Sequence, residues 1–120
     1  MSEADVEALK AARNTSGLIR LLGNRDFNIQ WHAAEALAEI GTDATAPLIS
    51  VIEHHSVPVR LGAIEALGTI RDTRAVDPLV HILNHDTSAE VVSAAAIALG
   101  RTGESAYMNV TAGGTFASLE

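Results

Sequence analysis

Apolar residues recur along this chain in short helical stripes rather than in alternation. Leu18, Ile19, Leu21 and Leu22 form one stripe, and Ile29, Ala33, Leu37 and Ile40 the next. Then come Leu48, Ile49, Val51 and Ile52, followed by Val59, Ala63, Leu67 and Ile70. Leu79, Val80, Ile82 and Leu83 and finally Val91, Ala95 and Leu99 complete the series. Spacings of three and four residues put each set on one face of a helix, so the pattern predicts an all-α chain of six to seven helices. Polar residues mark the ends. Ser2, with Asp5 three positions on, opens a first helix over Ser2 to Ala12 that carries Val6 and Leu9. Asn14-Thr15-Ser16, Asp26, Ser56 and Thr87-Ser88 stand where N-caps are needed. Gly23-Asn24, Gly41, His54-His55, Asp72-Thr73 and Gly103 stand where helices are expected to stop. Pro47 falls in a first turn, where its missing N–H matters little.

The stripes repeat. Ala33-Ala34-Glu35-Ala36-Leu37 reappears as Ala63-Ile64-Glu65-Ala66-Leu67 and as Ala95-Ala96-Ile97-Ala98-Leu99. Pro47-Leu48 returns as Pro78-Leu79, a shift of 31 residues. A period of this length marks stacked supersecondary units, none of which hides its apolar face alone. The chain is therefore expected to form an α-solenoid: a partial opening helix, then about three pairs of antiparallel helices. In each pair a helix B is followed by an Ala-rich helix A. The repeat domain covers residues 1–104. Beyond it, Gly113 and Gly114 fall where Val51 and Ile52 stand in the repeat, and glycine costs a helix ~1 kcal/mol each. Residues 105–120 are thus expected either to cap the last repeat through Tyr107, Met108 and Phe116 or to be disordered.

Composition narrows the function. Of 120 residues, 48% are hydrophobic but only 3% aromatic, so Ala, Leu, Ile and Val must build the core. Without cysteine there is no disulfide or thiolate metal site. The net charge is −7 and the eight basic residues are scattered, which disfavours nucleic acid. No run approaches the ~20 apolar residues of a membrane span, and the acidic start is unlike a secretory signal. A cytoplasmic protein is expected, with no membrane partner.

Val59-Arg60-Leu61-Gly62-Ala63-Ile64-Glu65-Ala66-Leu67-Gly68-Thr69-Ile70, followed by Arg74-Ala75-Val76-Asp77-Pro78-Leu79-Val80, resembles the HEAT-like repeat of the phycobilisome lyase type, in its short archaeal or bacterial form. The resemblance extends over roughly Val6 to Glu104. It implies a right-handed superhelix with A helices on the convex side and B helices on the concave side. Deoxyhypusine hydroxylases share the frame but carry His-Glu iron ligands. Here the matching positions hold Trp31-His32, Leu61-Gly62 and Ser93-Ala94, so that activity does not carry over. No residue marks bilin chemistry.

In this register Arg20, Ser50 and His81 form one row on the B helices, and Asn24, His54 and His85 a second. With Glu53 and Asn84 beside them, they outline a polar groove for a protein or peptide partner, or else an ordinary solvated face. His81 and His85, four residues apart with His54 one repeat away, have metal-ligand spacing. Histidine near a helix C-terminus also simply favours the dipole, and neither metal nor cofactor is expected. Imidazoles titrate near pH 6.5, so affinity for an acidic partner should rise on acidification. Replacing the three by Gln is expected to leave the fold intact. Trp31 is expected on the outer side of its helix, as an apolar contact patch or lying over its own turn. Arg60 is expected to link repeats through Glu53, Asp72 or Asp86. No nucleophile–base set is visible, so the chain reads as an interaction module rather than an enzyme, with possible homodimer formation through an exposed end. An enzyme-accessory or metal-binding role is the alternative.

Overall fold

Short polar side chains set the helix starts. The computed structural model describes residues 2–54 and 56–112, with side chains described as far as Gly103. Helix α1 (Glu3–Ala11) begins where the Ser2 main-chain N–H donates to Asp5 Oδ2 at 2.7 Å. Asn14 Oδ1 accepts from the Gly17 N–H at 2.9 Å and opens α2 (Thr15–Leu21). Asp26 does the same for α3 (Phe27–Ile40), accepting from Asn28. These bonds satisfy N–H groups that a helix leaves unpaired. A 3₁₀ turn, Gly41–Ala44, leads to the short α4 (Thr45–Ile49). Then follow α5 (Val57–Ile70), a second 3₁₀ turn (Thr73–Ala75), α6 (Val76–His85) and α7 (Ala89–Ala112). No strand occurs among the described residues.

The helices sort into two layers. α1, α3, α5 and α7 pack side by side in sequence, while α2, α4 and α6 each pack on the long helix that follows. Between the layers lie the fully buried Leu18, Leu22, Leu37, Leu48, Leu67, Leu79 and Val91, with Ile64 among them. Small residues let the long helices approach. Ala33, Ala63 and Ala95 are fully buried at equivalent places. At Gly68 a Cβ would lie only 3.0 Å from Ala98 Cβ and 3.1 Å from its Cα, so α5 and α7 meet there almost backbone to backbone.

Two helix ends differ from the expectation. The helix expected to run from Leu48 toward His54 stops at Ile49. Ser50 Oγ donates to the Pro47 carbonyl at 2.5 Å, and Val51 and His54 N–H groups bond three residues back, at 3.0 Å each. A serine hydroxyl competing for a helix carbonyl, followed by two β-branched residues, tightens the chain into turns. At the other end, α7 does not stop at Gly103 but runs on to Ala112, across the expected domain boundary. A glycine ends a helix when it adopts a left-handed conformation, as Gly41 does at φ 84°, and among the described residues no other glycine does so. Arg71, at the position equivalent to Gly41, also takes a positive φ, 61°, but with ψ 33° it is a left-handed helical cap, whereas Gly41 has ψ −144°. The faces also differ in detail: Val80 is partly exposed, and in α7 Ala98 rather than Leu99 is buried. The expected cap made by Tyr107, Met108 and Phe116, the Gly113-Gly114 pair and the role of His55 lie outside the described residues.

Polar clamps join successive turns of the array along its edges. Arg13 reaches Asp43 at 2.8 Å, and Arg74 Nη2 donates both to Asp72 at 2.6 Å and to the Thr42 carbonyl at 3.1 Å. Held by that guanidinium, the Asp72 carboxyl falls from 3.8 to about 2.

Candidate protein-interaction surface

The short-helix layer carries two adjoining hollows. The first, about 540 Å³, is bounded by Ile19, Arg20 and Gly23 of the α2 end, by Val51 and His54 of the turns after α4, and by Val59 of α5. The turns that follow the early end of α4 form one side of this hollow. Arg20 is exposed at its rim. His54 is half-buried, and its Nδ1 accepts from the Ser56 N–H at 3.0 Å. His54 thereby serves the start of α5, while the Ser56 side chain itself makes no cap bond.

The second hollow, about 180 Å³, is bounded by Glu53, Arg60, His81, His85, Asp86 and Thr87. His81 and His85 stack with ring centroids 4.3 Å apart and planes inclined by 22°. His85 Nδ1 lies 2.9 Å from the His81 carbonyl at the C-terminal end of α6, and His81 Nε2 lies 3.3 Å from Glu53 Oε1. Parallel stacked rings present their nitrogens side by side rather than converging on one point. Among the described residues no group of three or more His, Asp or Glu side chains is placed to hold a metal ion. The floor is ionic. Arg60 Nε lies 2.9 Å from Asp86 Oδ2, its Nη2 donates to Asp86 Oδ1 at 3.2 Å, and its Nη1 donates to the His54 carbonyl at 2.9 Å. Both side chains are well buried, at 11% and 6% exposure. Of the carboxylates that sequence reasoning offered as a partner for Arg60, the structure selects Asp86. The same carboxylate accepts from the Ser88 N–H at 2.9 Å, just before α7.

The two rows of the repeat register are thus regrouped. Arg20 and His54 share one hollow; Glu53, His81 and His85 share the other. Asn84 is exposed on α6. Asn24 and Ser50 are engaged locally. Asn24 Oδ1 accepts from Asp26 and its carbonyl from Gln30 Nε2, and Ser50 bonds back to Pro47. Sequence reasoning missed Asp86 and Thr87 as lining residues. Their signal was present, because Asp-Thr-Ser between two helices is a capping sequence that faces whatever lies beside the helix end.

A third hollow, about 190 Å³, lies on the other layer, between α3 and α5. Ala34, Ala38 and Ala66 floor it, Trp31 walls it, and Glu35 and Glu65 stand at its rim. Trp31 is 55% exposed and meets His32 edge to face at 5.3 Å, while Phe27, one turn earlier, is 74% exposed. The exposure of Phe27 has no counterpart in the sequence reading.

No described helix is long and apolar enough to cross a membrane. No curated protein matches the chain. The family model for HEAT repeats matches residues 15–100. HEAT repeats are in general protein-interaction scaffolds rather than catalysts. With two helical layers, a repeating Ala-Leu core and that match over most of its length, the chain belongs to the HEAT repeat family.

Proposed function

We propose that this protein is a non-enzymatic interaction module that takes a peptide or protein segment along its short-helix layer. Residues 1–104 form the repeat domain, and the layer of α2, α4 and α6 forms the inner, concave side of a right-handed superhelix of about three helix pairs. The observation that carries the reading is the pair of adjoining hollows, whose rims bear Arg20, Glu53, His81 and His85 with Asn84 beside them. His54 lines the first hollow, and Asn24 and Ser50 are further residues of the same face. The rims mix one fixed cation, one carboxylate and two imidazoles, which suits hydrogen bonds and a few charged contacts rather than a polyanion. The chain is proposed to work in the cytoplasm, without a cofactor.

The test is a capture experiment from source-cell lysate followed by affinity measurement with the protein identified. A variant carrying Arg20→Ala, Glu53→Ala and His81→Ala removes exposed groups only, so its melting temperature should match wild type. Its affinity should fall by about tenfold or more, equivalent to ~1.4 kcal/mol. Unchanged affinity in a folded variant would exclude this layer as the binding face. Light scattering on the purified protein separately reads out a homodimer.

A further inference from the structure

We propose that the hollow beside Trp31 is a second docking site, which takes one basic side chain, arginine or lysine, from a protein partner. Every residue that bounds it belongs to α3 or α5, and none to the short helices, so it is separate from the surface discussed above. Its floor of Ala34, Ala38 and Ala66 is apolar and flat because alanines let these two helices pack closely. At about 190 Å³ it is smaller than the ~300 Å³ at which small-molecule sites begin, but of a size for a single long side chain.

The chemistry of the walls selects the occupant. An aliphatic stem lies well on alanine methyls. A cation at the end of that stem is drawn to the indole, most strongly among aromatic rings. Glu35 and Glu65, whose side chains are 52% and 60% exposed, flank the hollow from its two helices. Among the described residues, the basic side chains beside these carboxylates stand at longer range. Arg101 lies 3.7 Å from Glu65, and His32 lies 3.8 Å from Glu35 while standing closer, at 3.1 Å, to Glu3. A guanidinium delivered by a partner can approach such a carboxylate more closely than these do. Phe27, exposed on the same helix one turn away, extends the contact to an apolar neighbour of the basic residue. The same charges reject other occupants. A second copy of this chain would bring its own Glu35 and Glu65 against like charge if it docked about a two-fold axis. An anionic membrane surface would meet a carboxylate rim on a protein of net charge −7.

Trp31 is the chain's single tryptophan, so its fluorescence reports on this site alone. The probe is an amphipathic peptide with arginines on one helical face and leucines on the other. Its control carries citrulline, which keeps the shape and removes the charge, in place of each arginine. The arginine peptide should shift Trp31 emission saturably, and the citrulline peptide should need about tenfold higher concentration. Raising salt should weaken the first titration and leave the second unchanged. E35Q/E65Q, checked for an unaltered melt, should bind the arginine peptide about as weakly as wild type binds the control. Equal binding of the two peptides, or no saturable response, overturns the proposal, and this comparison needs no variant to fold. A dimer that W31A dissociates would assign the face to a second copy and overturn it equally. Because the lysate experiment reads the short-helix layer, either proposal can fail without the other.

Discussion

The long-helix and short-helix layers hold together by different means. In the first, α3 and α5 run 14 residues each, and α3, α5 and α7 pack in series with Ala33, Ala63, Ala66, Gly68, Ala95 and Ala98 buried along them. In the second, α2, α4 and α6 have 7, 5 and 10 residues, and α4 is separated enough from α2 to leave a hollow. Apolar contact along whole helices keeps the long layer in register. The short layer is tied in at its ends by ionic clamps: Arg60 to Asp86 and the His54 carbonyl at one edge, Arg74 to Asp72 and the Thr42 carbonyl at the other. The short helices are seated by Leu18, Leu48, Leu79 and Ile82 as well, but over less length. It is in this layer that the array accommodates a serine-induced helix stop and two hollows.

The sharpest way to break this comparison is to cut the buried clamp. Asp86→Ala leaves Arg60, only 11% exposed, without its carboxylate and removes the acceptor before α7. Loss of one partner of a buried pair costs about 3–5 kcal/mol, and chemical denaturation should show a loss of that size. A loss below about 1 kcal/mol would mean the short layer is not held by its ends. The next test strikes the long layer. Gly68→Val adds three carbons where even one Cβ meets Ala98 at 3.0 Å. Overpacking of this kind costs about 1–3 kcal/mol, and the loss should be the same at low and high salt because no charge is involved. A double variant, Gly68→Val with Ala98→Gly, should recover part of it. If it recovers none, α5 and α7 do not meet at that point.

The long layer was legible in the sequence and the short layer only in part, for a physical reason. Repetition at a fixed period exposes what every unit shares, and the shared part is the Ala-Leu face that must fit its neighbours. Val59, Ala63 and Leu67 are buried as the stripe predicts. What differs between units is decided by single local bonds that period analysis averages away. Ser50 bonding to Pro47 ends α4, and no neighbouring repeat has a serine there: the equivalents are Arg20 and His81. His54 looked like a member of a surface row, yet its ring nitrogen accepts the Ser56 main-chain N–H just before α5. Arg71 ends its helix at a positive φ, which a glycine advertises and an arginine does not. Trp31 is exposed on the outer side of α3, where the register put it, but the exposure of Phe27 one turn earlier is signalled by no stripe of apolar residues.

The smallest effect expected concerns the outer edge, where the ties are ionic and the comparison therefore predicts sensitivity to pH. Arg74 forks onto Asp72 through Nε at 3.0 Å and Nη2 at 2.6 Å, and Asp72 also accepts from the Arg74 N–H at 3.0 Å to start the turn into α6. These contacts lower the Asp72 carboxyl from 3.8 to about 2 in the folded protein. A carboxyl whose pKa is depressed by folding binds its proton more readily in the unfolded chain. Its contribution is therefore fully present above pH 3.8 and fades as pH falls toward 2. Asp72→Asn should be less stable than wild type at pH 7, and the gap between the two melting temperatures should narrow between pH 4 and 2. Arg74→Ala should narrow the gap over the same window, because the guanidinium is the main cause of the depression. Gly68→Val is the control: its deficit comes from packing alone and should be the same at pH 4 and at pH 7. A deficit of Asp72→Asn that also stays constant with pH would show that the carboxylate acts only as a neutral cap. The edge would then be held as the long layer is, by shape rather than by charge.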